Sequence, residues 1–397
     1  MIAPEPFFEP RGTPFSEFHR IRALTDLGHQ VDLVTYPFGQ DVQMPGLRVF
    51  RCLRPIGMRG VKIGPSLAKI PLDALLALRA LRQALAGRYD AVHSHEEGGV
   101  IGVVLAALLR VPHLYDMHSS LPQQLANFAF SRSRLIHGVL LWIERFMIAR
   151  SRVVIVICPA LEETVRAIDT RAHVVLIENA PGSADAHATP GQERSVRREL
   201  GLSDSSPLVL YTGTFEAYQG LDLLYQAMAI VLAARPDVRL LLAGGKPDQV
   251  ARARQQARAA GIEAVTTFAG EQPPGDIPAY LLAADVLVSP RSRGTNTPLK
   301  IYQYMRSGKP IVATRLLTHT QVLSDETAVL TAAAPRDFAA GILSVLGDPG
   351  GAVQMGRRAH ELAETKYSYD AYLEQTRRAC AALLPLAPPV AVVKDLA

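Results

Sequence analysis

Ser289-Pro-Arg-Ser-Arg-Gly-Thr-Asn-Thr-Pro-Leu-Lys-Ile-Tyr-Gln-Tyr-Met-Arg-Ser-Gly-Lys-Pro310 runs between two short β-branched stretches, 286–289 and 311–313. Pro298 suits the first position of a helix, and Thr297 before it is expected to be the N-cap. Ser307-Gly308 and then Pro310 stop the helix after little more than two turns. A strand, a loop, a short helix and a second strand in so few residues predict a parallel βαβ unit.

The same alternation extends outward along the chain. Strands are predicted at 31–36, 91–94, 113–116 and 153–158, and again at 208–211, 239–242, 266–268, 286–289 and 311–313. Before the first of them, a helix is expected over 14–27, with Phe15, Phe18, Ile21, Leu24 and Leu27 on its apolar face and Gly28 at its end. The pattern predicts an α/β fold of two doubly wound halves. They divide in the Ala-, Pro- and Gly-rich stretch 179–193, giving domains over 1–180 and 181–370, with 371–397 as a final helix and tail. Met1-Ile2-Ala3 supplies only the end of a first strand, which is expected to be a stub or the remnant of a longer segment.

At 397 residues, the chain is long enough for two or three domains with ample cores. Hydrophobic residues at 48% against 20% charged exclude disorder. Three cysteines, Cys52, Cys158 and Cys380, are too few and too scattered for a disulfide framework or clustered zinc site, and point to a reducing cytoplasm. A net charge of +5 does not call for nucleic acid. Most of it gathers between residues 48 and 88, where Arg48, Arg51, Arg54, Arg59, Lys62, Lys69, Arg79, Arg82 and Arg88 face a single Asp73. The best candidate for a spanning helix, 137–158, is broken by Glu144, Arg145, Arg150 and Arg152. A secretory signal is not expected, since Pro4, Glu5, Pro6 and Pro10 interrupt the start.

Chemistry is expected where strands run into helices. The N–H groups freed at the helix start near Thr297 favour an anion, and Lys300 in the first turn is otherwise opposed by the helix dipole. With Arg291 and Arg293, this predicts a phosphate or diphosphate clamp; the alternative is a solvated loop with incidental charges. Pro10-Arg-Gly-Thr-Pro14, with Gly12 and Thr13, and Tyr211-Thr-Gly-Thr214 leading to Gln219-Gly220 are two further junctions of this kind. Ligands of open α/β sheets bind outside the C-terminal ends of the strands, so these loops and His118 can line a crevice. His93 and His95 alternate on a strand, which allows a metal site, but the pattern lacks zinc-ligand spacing; no metal is expected and His93 reads as a core histidine.

Nearly the whole chain resembles the retaining GT-B glycosyltransferases of bacterial family four. The resemblance rests on Arg11-Gly12-Thr13 before a helix ending Leu27-Gly28-His29-Gln30-Val31, Tyr89-Asp-Ala-Val-His-Ser-His95 and Tyr115-Asp-Met-His118. It continues through Tyr211-Thr-Gly-Thr214 with Gln219-Gly-Leu-Asp222, Leu241-Leu-Ala-Gly-Gly245 and Pro298 to Pro310. It implies two Rossmann-like domains facing a cleft, an acceptor side in the first and a nucleotide-sugar site in the second, with a last helix crossing back from about Tyr367-Ser-Tyr-Asp370. It also implies a donor/diphosphate site at Gly12, Thr13, Gly213, Thr214, Thr297, Pro298, Leu299 and Lys300, contact of His118 with the transferred sugar, and ribose binding by Gln303.

This sequence departs from the family at telling places. The two acids of the Glu-x7-Glu motif become Thr295 and Gln303, and the phosphate-binding Arg and Lys correspond to Thr214 and Gln219. Gln303 can still donate to and accept from a ribose, and the missing charge is expected from Arg291, Arg293 and Lys300. The implied reaction moves a hexose from a nucleoside diphosphate sugar, UDP before GDP, to a hydroxyl acceptor, lipid-linked or an envelope glycan. It needs no cofactor and no metal, and runs at the inner face of the membrane if residues 48–88 rest on anionic lipid. The alternatives are a binding or scaffold protein that has lost turnover, or a non-transferase GT-B enzyme such as a sugar epimerase.

Overall fold

The computed structural model describes residues 1–8, 12–61, 66, 69–123, 133–178, 191–203 and 206–383. The chain divides into two compact units, Met1–Glu178 with Tyr372–Ala397, and Asn179–Ala371. Arg11, Lys62, most of the predicted linker and the tail lie outside the described residues.

The first unit is built on seven parallel strands: β1 (Ile2–Ala3), β2 (Val31–Thr35), β3 (Leu47–Arg51), β4 (Val92–His95), β5 (His113–Met117), β6 (Val153–Val156) and β7 (Val174–Leu176). Their order in the sheet is β3-β2-β1-β4-β5-β6-β7. The second unit has β8 (Leu208–Thr212), β9 (Arg239–Ala243), β10 (Thr266–Gly270), β11 (Val286–Ser289), β12 (Ile311–Thr314) and β13 (Val329–Thr331), ordered β10-β9-β8-β11-β12-β13. In both sheets the strand order reverses beside the first strand, between β1 and β4 and between β8 and β11. These are the switch points at which α/β sheets open a crevice for ligands.

Most of the strands that sequence predicts are buried on both faces and read as continuous apolar runs; β10, also predicted, is half-exposed beyond Thr266. Leu208, Val209, Leu210 and Tyr211 are all buried, as are Val286, Leu287 and Val288. The strands it does not predict, β3, β7 and β13, are half-exposed or three residues long. The helix predicted at 14–27 spans Gly12–Asp26, and its burial is not confined to the apolar side: Glu17, His19 and Arg20 are buried together with Ile21, Ala23 and Leu24.

The basic stretch 48–88 is largely tied into the first unit. Arg48 binds Asp32 through two hydrogen bonds of 2.7 Å. Arg51 donates to the carbonyls of Tyr36, Phe38 and Gln40, and Lys69 meets Glu97 at 2.8 Å. Arg79 lies 5.0 Å over the ring of Phe50. These cations fasten strand β3 and the helix Lys69–Ala86, which buries Leu72, Leu76, Ala80 and Ala84 at helical spacing.

At the second switch point, Gly220 starts the helix Leu221–Ala234 with φ 75°. A Cβ there would stand 2.0 Å from the carbonyl oxygen of Pro290, in the loop after β11. The two loops that flank the switch point therefore touch backbone to backbone. Gly220→Ala adds left-handed strain and a steric clash, and is expected to destabilise the protein by about 2 kcal/mol or more, read as a fall in the urea midpoint with the slope unchanged.

Candidate functional site

In the second unit, the helix Leu299–Ser307 begins one residue later than predicted. Pro298 occupies the N-cap with extended backbone and no side-chain cap is made. Thr297, the expected cap, is instead buried, with its hydroxyl lacking a hydrogen-bond partner among the described residues. The cause is local: Pro298 at φ −66° and ψ 134° is still extended, so Thr297 lies too far back to reach the first helical amides. Gly308, at φ 68°, closes the helix as expected.

Lys300, in the first turn, folds back beneath the loops. It is 8% exposed, its Nζ sits 3.7 Å from the centre of the Tyr211 ring, and among the described residues its ammonium donates one hydrogen bond, 3.4 Å long, to the amide oxygen of Gln219. A Cβ on residue 213 would lie 3.0 Å from this Nζ, so Gly213 makes room for the ammonium. Burial, and then the charge of Arg291, push the Lys300 pKa well below the ordinary lysine value. No carboxylate pairs with it among the described residues.

Arg291 is folded into the same loop, donating to the carbonyls of Arg293 (2.8 Å) and Asn296 (3.1 Å) and lying 5.1 Å over the ring of Tyr218. Burial lowers its pKa too. Gln219 completes the floor by donating to the Thr214 hydroxyl at 3.4 Å. The structure thus brings together Gly213, Thr214, Gln219, Arg291 and Lys300 at the ends of β8 and β11. Arg293 does not join them: it stands exposed. Gln303 lies on the same helix three residues beyond Lys300 and is half-buried.

In the first unit, the predicted residues Gly12 and Thr13 open the helix that follows β1, and His118 is the residue after β5. Gly12 opens its helix at φ 49° with nothing within 4 Å of where a Cβ would stand. His118 belongs to a buried network around Asp116. Asp116 accepts from Arg20 Nε at 2.9 Å and has His93 Nε2 at 3.4 Å and His118 Nε2 at 3.3 Å. His95 Nδ1 and His118 Nε2 are 3.1 Å apart. Burial alone would raise the Asp116 pKa; Arg20 and then His118 reverse this and hold it well below the carboxylate range. Arg20 continues to Thr376 at 3.2 Å and stacks 4.8 Å over Tyr372, both on the last helix, Tyr369–Ala381.

His93 is therefore part of this network, stacked 4.7 Å from His95, while His113 is the core histidine, bonded to Ser94 and Ser151. His93, His95 and Asp116 offer ligand atoms within 4.8 Å of one another, yet the guanidinium of Arg20 already holds the Asp116 oxygen and opposes a cation there.

Sequence reasoning missed Glu17, Arg20 and Glu96. Glu17 is fully buried, and neither carboxylate oxygen has a partner among the described residues. Burial, then the carboxylates of Glu5, Asp116, Glu96 and Glu97, raise its pKa well above the usual range. Glu96 sits at φ 46° directly after β4, accepts from Ser119, and is likewise pushed up by burial. A glutamate and an arginine three residues apart on the helix face that holds Ile21 and Leu24 are the signal available for the first two.

Residues 19–180 match the model of the glycosyl transferase 4-like domain and residues 192–362 that of glycosyl transferases group 1. The chain is a GT-B glycosyltransferase and belongs to the group 1 family. A D-inositol 3-phosphate glycosyltransferase of Kribbella flavida is 26% identical over 367 residues, covering 86% of this chain and 84% of its own. One of the same name from Acidothermus cellulolyticus is 28% identical over 368 residues, covering 85% of this chain and 78% of its own. Among solved structures, Anabaena Alr3699/HepE in complex with UDP superposes with a TM-score of 0.76 at 18% identity, covering 96% of this chain and 99% of its own. Sucrose-phosphate synthase from Thermosynechococcus elongatus gives 0.77 at 21%, covering 96% and 98%.

Because Glu17 holds its proton more tightly folded than unfolded, stability should fall as pH climbs from about 4.3 toward its raised folded pKa. Glu17→Gln is expected to remove that share of the slope and to raise stability at pH 8 by about 1 kcal/mol or more, measured by urea unfolding from pH 4 to 8. An unchanged slope would show that the carboxyl ionises inside the fold.

Proposed function

We propose that this glycosyltransferase moves a hexose from a nucleoside diphosphate sugar to a hydroxyl acceptor with retention of configuration and without a bound metal ion. The observation that carries the reading is Lys300, a buried ammonium beside a second cation, with no carboxylate of its own among the described residues. A diphosphate supplies the missing counter-charge. The amides at the start of the helix Leu299–Ser307 point the same way, and Pro298 and Leu299 form the turn that delivers them. Gly213 and Thr214 leave bare backbone beside the ammonium, and Gln303 offers an amide to the ribose hydroxyls.

Rate enhancement follows from stabilising the departing diphosphate as the sugar becomes oxocarbenium-like. Lys300 and Arg291 take the place of the Arg and Lys that Thr214 and Gln219 replace; this is charge relocation from one loop to its neighbour. It also supplies the neutralisation that a metal ion gives in other transferases. Gly12 and Thr13 are assigned to the donor's diphosphate or the acceptor, and His118, held through Asp116, to a sugar hydroxyl. No nucleophilic side chain is assigned; the acceptor hydroxyl is oriented and attacks directly.

UDP is favoured over GDP as the carrier, in keeping with the UDP of the HepE complex. For the acceptor, a lipid-linked or envelope glycan is in keeping with a structural neighbour, WaaG, described as involved in lipopolysaccharide biosynthesis; a phosphorylated cyclitol is the class named by the sequence relatives. The free thiols of Cys52, Cys158 and Cys380 suit a cytoplasmic setting.

A thermal-shift screen of UDP-, GDP- and ADP-sugars tests the donor. A UDP-hexose is expected to raise the melting temperature by about 3 °C or more at a concentration well above Kd. NMR of the product is expected to show the donor's anomeric configuration, with the rate unchanged by EDTA. No stabilisation by any of the sugar nucleotides would sink the proposal.

A further inference from the structure

The helix Arg134–Arg150 is amphipathic the wrong way round. Its buried face carries Glu144 with Met147 and Ile148. Glu144 is 1% exposed and accepts hydrogen bonds from the Ser120 hydroxyl (3.1 Å) and the Leu121 amide (2.8 Å). At about 100° per residue, Leu135, Val139, Trp142 and Phe146 form a single stripe on the side opposite Glu144. That stripe faces outward: Leu135 is 78% exposed, Trp142 66% and Val139 49%, with Ile136 beside them. Phe146 stacks on Trp142, and a shallow groove runs along Arg134, Leu135, Gly138, Val139 and Trp142.

Burying a carboxyl to expose a tryptophan runs against the hydrophobic effect unless something apolar covers the stripe. The charges beside it say what. Arg134 and Arg145 flank the stripe on one side and Arg150 on the other. The helix's remaining charged residue, Glu144, is inside, so every exposed charged side chain of this helix is an arginine. Apolar residues led by a tryptophan and bordered by arginines are the chemistry of a helix that lies in a lipid headgroup layer. Among the described residues no helix is long and apolar enough to cross a membrane, which leaves the interfacial mode.

We infer that the first unit docks on an anionic phospholipid surface through the Leu135–Val139–Trp142–Phe146 stripe, with Arg134, Arg145 and Arg150 at the phosphate level. The cations of residues 48–88 are mostly tied to partners within the fold, so this helix, rather than that stretch, is the membrane face. The inference goes beyond the sugar-transfer reading and does not depend on it, since lipid binding is measured without turnover.

Trp142 is the one tryptophan of the chain, so its emission reports the stripe directly. Full-length protein is mixed with vesicles of phosphatidylcholine containing about one third phosphatidylglycerol, at moderate and at high salt, and with phosphatidylcholine alone. Expected are a blue shift, quenching by brominated acyl chains, and cosedimentation with the anionic vesicles that high salt weakens. The double variant Leu135→Glu, Val139→Glu keeps Trp142 and changes exposed positions alone; it should lose cosedimentation at least tenfold while melting as the parent does. Arg134→Gln with Arg145→Gln should weaken binding to anionic vesicles and remove its salt dependence. Unshifted emission with anionic vesicles, equal sedimentation of the glutamate variant, or a lipid-free dimer that buries Trp142 would each overturn the inference.

Discussion

An ammonium group held out of water without a carboxylate is costly, by several kcal/mol in the absence of compensation. Lys300 is kept in that state by the ring face of Tyr211 and the amide oxygen of Gln219. The surroundings follow from accommodating it. Residue 213 is a glycine at φ 128°, and a Cβ there would stand 3.0 Å from Nζ; the loop after β11 lies against Gly220 so that Arg291 and the helix start share the same corner. A second cation nearby makes the unliganded site worse and the anion-bound site better. That difference is what a binding site for a diphosphate requires.

The two units repeat one strand order but use their switch points differently. In the second, Arg291 and Lys300 are gathered without a carboxylate partner among the described residues. In the first, Arg20 is spent on Asp116, and around that pair sit histidines and the buried carboxyls of Glu17 and Glu96. The result is a polar, weakly charged environment rather than an anion trap, suited to hydroxyl groups. Arg20 also bonds Thr376, so the last helix is fixed to the same aspartate that positions His118.

Much of this was legible in the sequence. Continuous apolar runs marked the strands buried on both faces, and the proline and glycine around residues 298 and 308 marked the short helix, because those signals are local. What escaped depends on tertiary contact. Glu17 and Arg20 are charged residues whose own type gives no sign of burial, on a helix that is buried on most of its sides. Arg48, Arg51 and Lys69 looked like a free basic patch, but their partners Asp32 and Glu97 and the loop carbonyls are distant in sequence. Arg293 was grouped with Arg291 and Lys300 by proximity along the chain, and only the fold of the loop separates an exposed arginine from two enclosed cations. Thr297 was named as the cap by residue type, whereas the extended backbone of Pro298 decides the matter.

The relocation of charge to Lys300 is the claim on which the account turns, and titration calorimetry with UDP-glucose tests it most directly, since this donor has no group of its own that titrates near neutrality. A bound diphosphate favours the ammonium form that burial disfavours on Lys300, so donor affinity should fall as pH rises from 6 to 8, below the range in which the uracil of the donor ionises. Lys300→Met should bind at least about tenfold more weakly at pH 6 and with a flatter pH dependence, while remaining folded. Equal affinity and the same pH dependence in the two proteins would contradict the account.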